Sequence, residues 1–222
     1  MQAIFETAFD VVYLSTVITL GIIMIVKHRR KEHLLFGIMA VILGAGDAFH
    51  LIPRAYALCT TGLSDYTFAL GVGKLITSIT MTVFYVILYY VWRERYQVAG
   101  KRGLTAAVFF LAALRIALCL FPQNGWTSAE PSLLWGIIRN IPFAALGILI
   151  IVLFARMTWS GADSSYRFMW LTIVLSFAFY IPVVLFADTV PAVGILMIPK
   201  TCAYVWTVLI GYSDMRRSLS AA

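Results

Sequence analysis

Seven long apolar segments divide the chain, separated by short polar stretches. Within each segment the apolar residues run continuously instead of alternating with polar ones, which favours helices over the strands of a membrane barrel. Each segment approaches or exceeds the roughly 20 residues that a helix needs to cross a bilayer. The sequence therefore predicts seven transmembrane helices, at about 8–26, 34–52, 66–92, 104–121, 134–155, 168–187 and 191–212.

Basic residues follow the first, third, fifth and seventh of these segments, and so lie on one side of the membrane. They are Lys27, Arg29, Arg30, Lys31, Arg93, Arg95, Lys101, Arg102, Arg156, Arg167, Arg216 and Arg217. Because Lys and Arg collect in cytoplasmic loops, the pattern predicts an external N-terminus and a cytoplasmic C-terminus. All loops are short, so we expect residues 1–222 to form one all-α, seven-helix domain.

The composition agrees with a multi-pass protein of the plasma (inner) membrane. Of the 222 residues, 62% are hydrophobic and 12% are charged, against about 45–50% and 25% in soluble domains. The formal net charge of +7 is explained by the basic helix ends. We therefore expect membrane lipids as partners, and no nucleic acid.

The candidate chemistry begins at the end of the second segment. Asp47, His50 and Arg54 are spaced i, i+3 and i+7, so a helix places them on one face. Ionisable residues within a membrane span usually mark a functional site. Asp47 is the candidate catalytic acid or base, and His50, one turn away, is a candidate general base beside it.

Further cations fall in the outer half or near the middle of their spans: Arg54, Lys74, Arg115, Arg139 and Lys200. An unpaired charge at the bilayer centre costs about 2.5–3.5 kcal/mol on insertion scales. Lys74 and Lys200 lie too deep to reach the headgroups easily, so we expect them to share a polar cavity. For Arg115 and Arg139, snorkelling to the outer surface remains an equal alternative.

These cations outnumber the acids near them, since Glu6, Asp10 and Asp188 lie closer to the surface than Asp47 does. Such an excess predicts a site for a phosphate or carboxylate group. The proposed ligand-binding residues are Arg54, Lys74, Arg115, Arg139, Tyr180, Lys200 and Tyr204. The structural alternative is that Asp47 pairs with Lys74 or Lys200 and only orients the helices.

The cysteine and acid spacings indicate no metal site, although Asp10, Asp47 and His50 could converge on one. Cys59 and Cys119 should both lie near the outer side. A disulfide between them is possible, but free thiols are expected, because burial alone explains cysteine in such helices. We expect no cofactor.

The stretch Gly46-Asp47-Ala48-Phe49-His50-Leu51-Ile52-Pro53-Arg54 resembles the Gly-Asp…Leu…Pro-Arg segment of the lysoplasmalogenase family. Members of that family are small polytopic membrane hydrolases that cleave the vinyl-ether bond of lysoplasmalogens. The resemblance implies a lipid-directed hydrolase with Asp47 as a catalytic residue. It covers a short part of the chain, and Lys74 stands where the family would have a histidine.

Two other resemblances offer alternatives. A lysine in the seventh span, Lys200, resembles the retinal-binding lysine of rhodopsins. However, Leu196 replaces the aspartate that microbial rhodopsins place four residues earlier, and Lys74 stands in the span that carries their counter-ion. The seven-span plan also resembles that of small sugar transporters and related receptors, which is an analogy of topology alone.

Two functional hypotheses follow. In the first, an enzyme holds an anionic amphiphile such as a lysophospholipid in an outer, intramembrane site while Asp47 and His50 act on it. In the second, a receptor or transporter binds a small anion or lipid headgroup through the same cations and needs no general base. The first hypothesis is slightly favoured, because Asp47 and His50 are more than a binding pocket for an anion requires. The oligomeric state stays open.

Overall fold

The computed structural model describes residues 2–128, 130–159, 161, 163–187 and 189–220. These residues form seven α-helices and no strand. The helices are α1 (Gln2–Lys27), α2 (Lys31–Cys59), α3 (Thr67–Arg95), α4 (Arg102–Leu120), α5 (Leu133–Thr158), α6 (Met169–Phe186) and α7 (Met197–Ser220). Every one lies in a segment long and apolar enough to cross a membrane. The predicted all-α, seven-span architecture is confirmed.

Several helices run further than the apolar segments that predicted them. α2 continues to Cys59 and α3 to Arg95, while α7 continues to Ser220. A helical backbone satisfies its own hydrogen bonds, so it does not have to end where the apolar residues end. The predicted seventh span instead begins as a short 3₁₀ turn, Pro191–Leu196, before α7 starts.

The helices form a sequential bundle that closes on itself. α2 packs most extensively against α1 and α3, and each later helix contacts the next one along the chain. α7 returns to contact α1 and α2, and α3 also contacts α5. This closure brings the start of α7 next to the middle of α1 and α2, although those segments are distant in sequence.

Close packing of α2 on α3 orients the central acid of the bundle. Thr77 of α3 donates a hydrogen bond to the Gly46 carbonyl at 3.0 Å. A Cβ at Gly46 would collide with Thr80, so glycine is needed for this approach. The next residue, Asp47, is thereby directed away from α3.

Aromatic rings fill the centre of the bundle. Tyr85 of α3 is fully buried and makes an edge contact with Phe143 of α5, at 5.1 Å between ring centroids. Phe177 of α6 lies 5.0 Å from Phe143. Such rings contribute large buried area and prefer these edge-on or tilted contacts. The rings separate an outer polar region from an inner one.

Candidate functional site

Asp47 lies deeper than the apolar pattern suggested. Because α2 ends at Cys59, the aspartate is roughly 18 Å from the end of its helix at 1.5 Å per residue. Its Oδ2 accepts a hydrogen bond of 2.6 Å from the hydroxyl of Tyr13 in α1. The Lys200 ammonium also interacts with it electrostatically. No direct Asp47–Lys200 ion pair forms among the residues that the structure describes.

Lys200 is buried in the first turn of α7, with 7% of its surface exposed. Its Nζ lies 5.1 Å from the ring centre of Tyr180 and 5.2 Å from that of Tyr204. Cations near aromatic faces gain about 2 kcal/mol or more when desolvated. Of the expected ligand-binding residues, Lys200, Tyr180 and Tyr204 are thus brought together.

Arg115 points into the bundle and is only 2% exposed. Its Cζ lies 3.2 Å from the centre of the Phe143 ring. Nε and Nη1 are buried and have no hydrogen-bond partner among the described residues. The snorkelling alternative for Arg115 is therefore wrong, because α4 turns this side chain towards α5 instead of the headgroups.

Arg139 lies above this region and is better satisfied. Its Nη1 donates to Asn124 Oδ1 at 2.8 Å, and its Cζ lies 4.2 Å from the Trp126 ring centre. Below it, the Tyr180 hydroxyl donates to Asn140 Oδ1 at 3.1 Å. Arg139 therefore orders the α4–α5 loop, and it remains within electrostatic reach of Tyr180.

Two predicted site residues, His50 and Arg54, lie apart from this group. His50 Nδ1 is 3.3 Å from the Leu70 carbonyl oxygen, so this nitrogen is directed at α3 and not at Asp47. Arg54 Nη2 pairs with Glu6 Oε2 at 3.0 Å near the outer surface. Sequence spacing placed His50 and Arg54 on the same helix face as Asp47, but in the structure each contacts a different partner.

The expectation that Lys74 and Lys200 share a buried cavity is wrong. Lys74 is exposed, whereas Lys200 is buried. On α3 the preceding Gly73 packs against the α2 backbone at Phe49 and His50, and this contact sets the rotation of the helix. Lys74 consequently lies on another face.

Together, these side chains form what we call the outer cluster. Its members are Tyr13, Asp47, Arg115, Arg139, Tyr180, Lys200 and Tyr204. Its members include three cations and one carboxylate; Lys200 acts on Asp47, and Asp10 lies within electrostatic reach of the same carboxylate. Asp188, which was expected nearer the surface, lies outside the described residues. The outer cluster thus retains the cation excess that the sequence predicted, with a different membership.

A second polar group, missed by the sequence reasoning, lies at the opposite end of the bundle. We call it the inner cluster: Glu32, His33, Arg95, Asp163 and Asp214. Arg95 donates from Nε and Nη2 to the two oxygens of Asp163, at 2.9 and 3.0 Å. Its Nη1 lies 3.1 Å from Glu32 Oε1 and 2.9 Å from Asp214 Oδ2.

The inner cluster joins the ends of α2, α3 and α7 to the α5–α6 loop. Burial alone would raise the pKa of the Asp163 carboxyl, but the hydrogen bonds and charge of Arg95 outweigh it and hold this pKa below its ordinary value. His33 Nε2 lies 3.0 Å from Asp214 Oδ2. The sequence did not indicate this cluster, because Arg95 follows an apolar segment and so resembles the other basic helix ends that indicate topology.

Other candidate groups have simpler outcomes. Cys59, Cys119 and Cys202 are free, as expected. Asp10, Asp47 and His50 do not converge on a metal site within the described residues; the residue group close enough to do so is in the inner cluster. A cleft of about 590 Å³ lies near Arg93 and Arg102 and includes no member of the outer cluster.

Comparison of the chain with protein-family profiles, curated proteins and solved structures gives no match.

Proposed function

We propose that the outer cluster binds the anionic headgroup of an amphiphile, such as a lysophospholipid, or a small anion of the same chemistry. The observation that carries this proposal is Arg115, which is 2% exposed with two nitrogens unpartnered. Among the described residues its contacts are with Phe143 and Cys119 and not with a carboxylate, and a buried charge without a counter-ion is costly. Nε and Nη1 lie on different edges of the guanidinium, so each could donate to a separate oxygen of an anionic ligand such as a phosphate or carboxylate.

Lys200 strengthens the case for an anion. It interacts repulsively with Arg115 and attractively with Asp47. Two buried cations near each other raise the free energy of the ligand-free protein, and an anion between them would lower it. The surrounding rings of Phe143, Tyr180 and Tyr204 offer apolar contact, which suits an amphiphile in the plasma membrane.

The geometry favours binding, as in a receptor or transporter, over hydrolysis. His50, the expected second catalytic group, faces the Leu70 carbonyl. Asp47 accepts a short hydrogen bond from Tyr13, which stabilises the carboxylate without activating a water.

Hydrolysis remains a second proposal for one specific reason: Asp47 interacts with Lys200 and is therefore near the anion site. Under that proposal Asp47 alone acts on the substrate, as the lysoplasmalogenase resemblance implies. Its carboxyl group would protonate the vinyl ether and, once ionised, would act as the base for the attacking water.

Native mass spectrometry of the protein in nanodiscs tests the binding proposal. The probes are a lysophosphatidylglycerol and inorganic phosphate, which separate an amphiphile from a small anion. We expect binding by the wild type and its loss in Arg115→Met and Lys200→Met. Arg156→Met, at an exposed position in the last turn of α5, is the control. Equal binding by all four proteins would overturn the proposal.

Asp47→Asn separates the two proposals. If the site only binds, this variant retains the lysophospholipid, and neither protein releases fatty aldehyde from a lysoplasmalogen. If the site hydrolyses, the wild type releases aldehyde and Asp47→Asn does not. A covalent adduct lost in Lys200→Met would instead support an aldehyde ligand such as retinal.

A further inference from the structure

Three side chains of the inner cluster have the composition of a metal site. Glu32, His33 and Asp214 each offer one ligand atom, and these atoms all lie within 4.8 Å of one another. His33 Nε2 is 3.0 Å from Asp214 Oδ2 and 3.8 Å from Glu32 Oε1. The three residues are 6%, 0% and 7% exposed, so solvent competes weakly for them.

With His33 neutral, the inner cluster contains more buried carboxylates than buried cations. Glu32, Asp163 and Asp214 are three buried carboxylates, and the one largely buried cation among them is Arg95, whose side chain is 15% exposed. Arg30 also approaches Glu32, at 3.3 Å, but its side chain is 57% exposed and so contributes little. Negative charge in excess at a buried site attracts a further cation.

Two polar atoms beside these carboxylates lack partners. Tyr166 is fully buried, and its hydroxyl has no hydrogen-bond partner among the described residues; the same is true of His33 Nδ1. Asp214 and Glu32 are the two charges that act most strongly on the Tyr166 phenol. Unsatisfied buried groups of this kind call for an additional ion or water.

We propose that Glu32, His33 and Asp214 bind a divalent first-row metal ion at the cytoplasmic end of the bundle. Two carboxylates and one imidazole suit ions of the Mn²⁺ or Zn²⁺ type. The Tyr166 hydroxyl, which is buried and unpartnered among the described residues, would supply a donor for a water on the ion. The site is independent of the outer cluster and of its proposed ligand.

Arg95 shares two ligands with the ion. Its Nη1 contacts both Glu32 and Asp214, while Nε and Nη2 hold Asp163 separately. The two hydrogen bonds to Asp163 can therefore remain while the metal ion displaces Nη1 from Glu32 and Asp214. At His33 the hydrogen bond to Asp214 requires the proton on Nε2. A metal ion would bind through the lone pair of Nε2, so coordination requires the proton to move to Nδ1.

Electron paramagnetic resonance of Mn²⁺ added to the full-length protein in nanodiscs provides the test. Pulsed measurements report ¹⁴N coupling when an imidazole ligates the ion. We expect one tightly bound Mn²⁺ with ¹⁴N coupling in the wild type. His33→Gln should lose the coupling, and Asp214→Asn should weaken binding by about tenfold or more.

Two further variants separate a metal site from a network that is merely structural. Arg95→Gln removes the competing cation, so it should bind Mn²⁺ more tightly even though it destabilises the fold. Glu94→Gln is the matched control, because this neighbouring acid pairs with Lys31 at 2.7 Å and should not alter binding. Bound Mn²⁺ without ¹⁴N coupling, or unchanged affinity in Asp214→Asn, would show an ion-pair network only and overturn the proposal.

Discussion

Each of the two polar clusters of this bundle contains a central arginine and at least one carboxylate, but the two arginines differ in their partners. In the inner cluster, Arg95 contacts three carboxylates through all its nitrogens. In the outer cluster, Arg115 is more deeply buried and has two nitrogens without a partner. One guanidinium completes a network of the protein, and the other is the basis of the proposed anion site.

The difference shows why burial of a charge does not by itself identify a binding site. A buried cation surrounded by its own counter-ions contributes mainly to how the helix ends fit together. A buried cation without one keeps the protein at a higher free energy until a ligand arrives. Whether each polar atom has a hydrogen-bond partner therefore distinguishes the two roles better than the degree of burial does.

The largest effect on stability is expected when Arg95 is removed. Arg95→Met leaves buried carboxylates without their cation, and we expect the free energy of unfolding to fall by about 3–5 kcal/mol. Denaturant titration of the metal-free protein in detergent measures it. Arg93→Met is the control, because Arg93 donates to the neutral oxygens of Val98, Gly100 and Thr105. A loss no larger than that of the control would contradict the prediction.

The corresponding change in the outer cluster should act in the opposite direction. Arg115→Met removes an unsatisfied buried charge, so the ligand-free protein should become more stable by about 1–3 kcal/mol. The same titration measures it. Arg139→Met should bring no gain, since it leaves the buried Asn124 oxygen unpaired. A destabilised Arg115→Met variant would mean that the contacts of this guanidinium with Phe143 and Cys119 outweigh the cost of its unpartnered nitrogens.

Acidification should destabilise the folded protein by protonating Asp163 in the inner cluster. Its pKa is lower in the folded protein than the unfolded value of about 3.9, so protonation favours unfolding. The stabilisation is complete above that unfolded value and is lost as the pH falls towards the folded pKa. Melting temperatures between about pH 6 and pH 3 should fall less steeply for Asp163→Asn than for the wild type. Parallel curves would exclude this role for the carboxylate.

The smallest effect is expected for the ion pair beside the inner cluster. Lys31 and Glu94 lie 2.7 Å apart, but their side chains are 69% and 29% exposed. Glu94→Gln should therefore lower the free energy of unfolding by only about 0.2–1 kcal/mol, as measured by the same titration in low salt. A loss comparable to that of Arg95→Met would show that exposure does not distinguish these pairs.

Sequence alone predicted the fold because the bilayer imposes strong constraints on it. Seven apolar segments and the alternate basic ends define the helices without reference to contacts between them. The sequence also predicted an excess of cations in the outer half, and Lys200, Tyr180 and Tyr204 indeed lie together. It could not predict rotation about each helix axis, and for that reason it wrongly grouped Lys74 with Lys200.

Tertiary structure alone decided which charges meet. Contacts in the inner cluster join residues up to 181 positions apart, and the packing of α3 and α7 on α2 brings them together. The packing of α1 on α2 places Asp47 beside Tyr13, and the packing of α4 on α5 turns Arg115 inward. Hydrophobicity is a property of each segment and can be read along the chain. Pairing depends on the relative rotation and depth of several packed helices, which no single segment encodes.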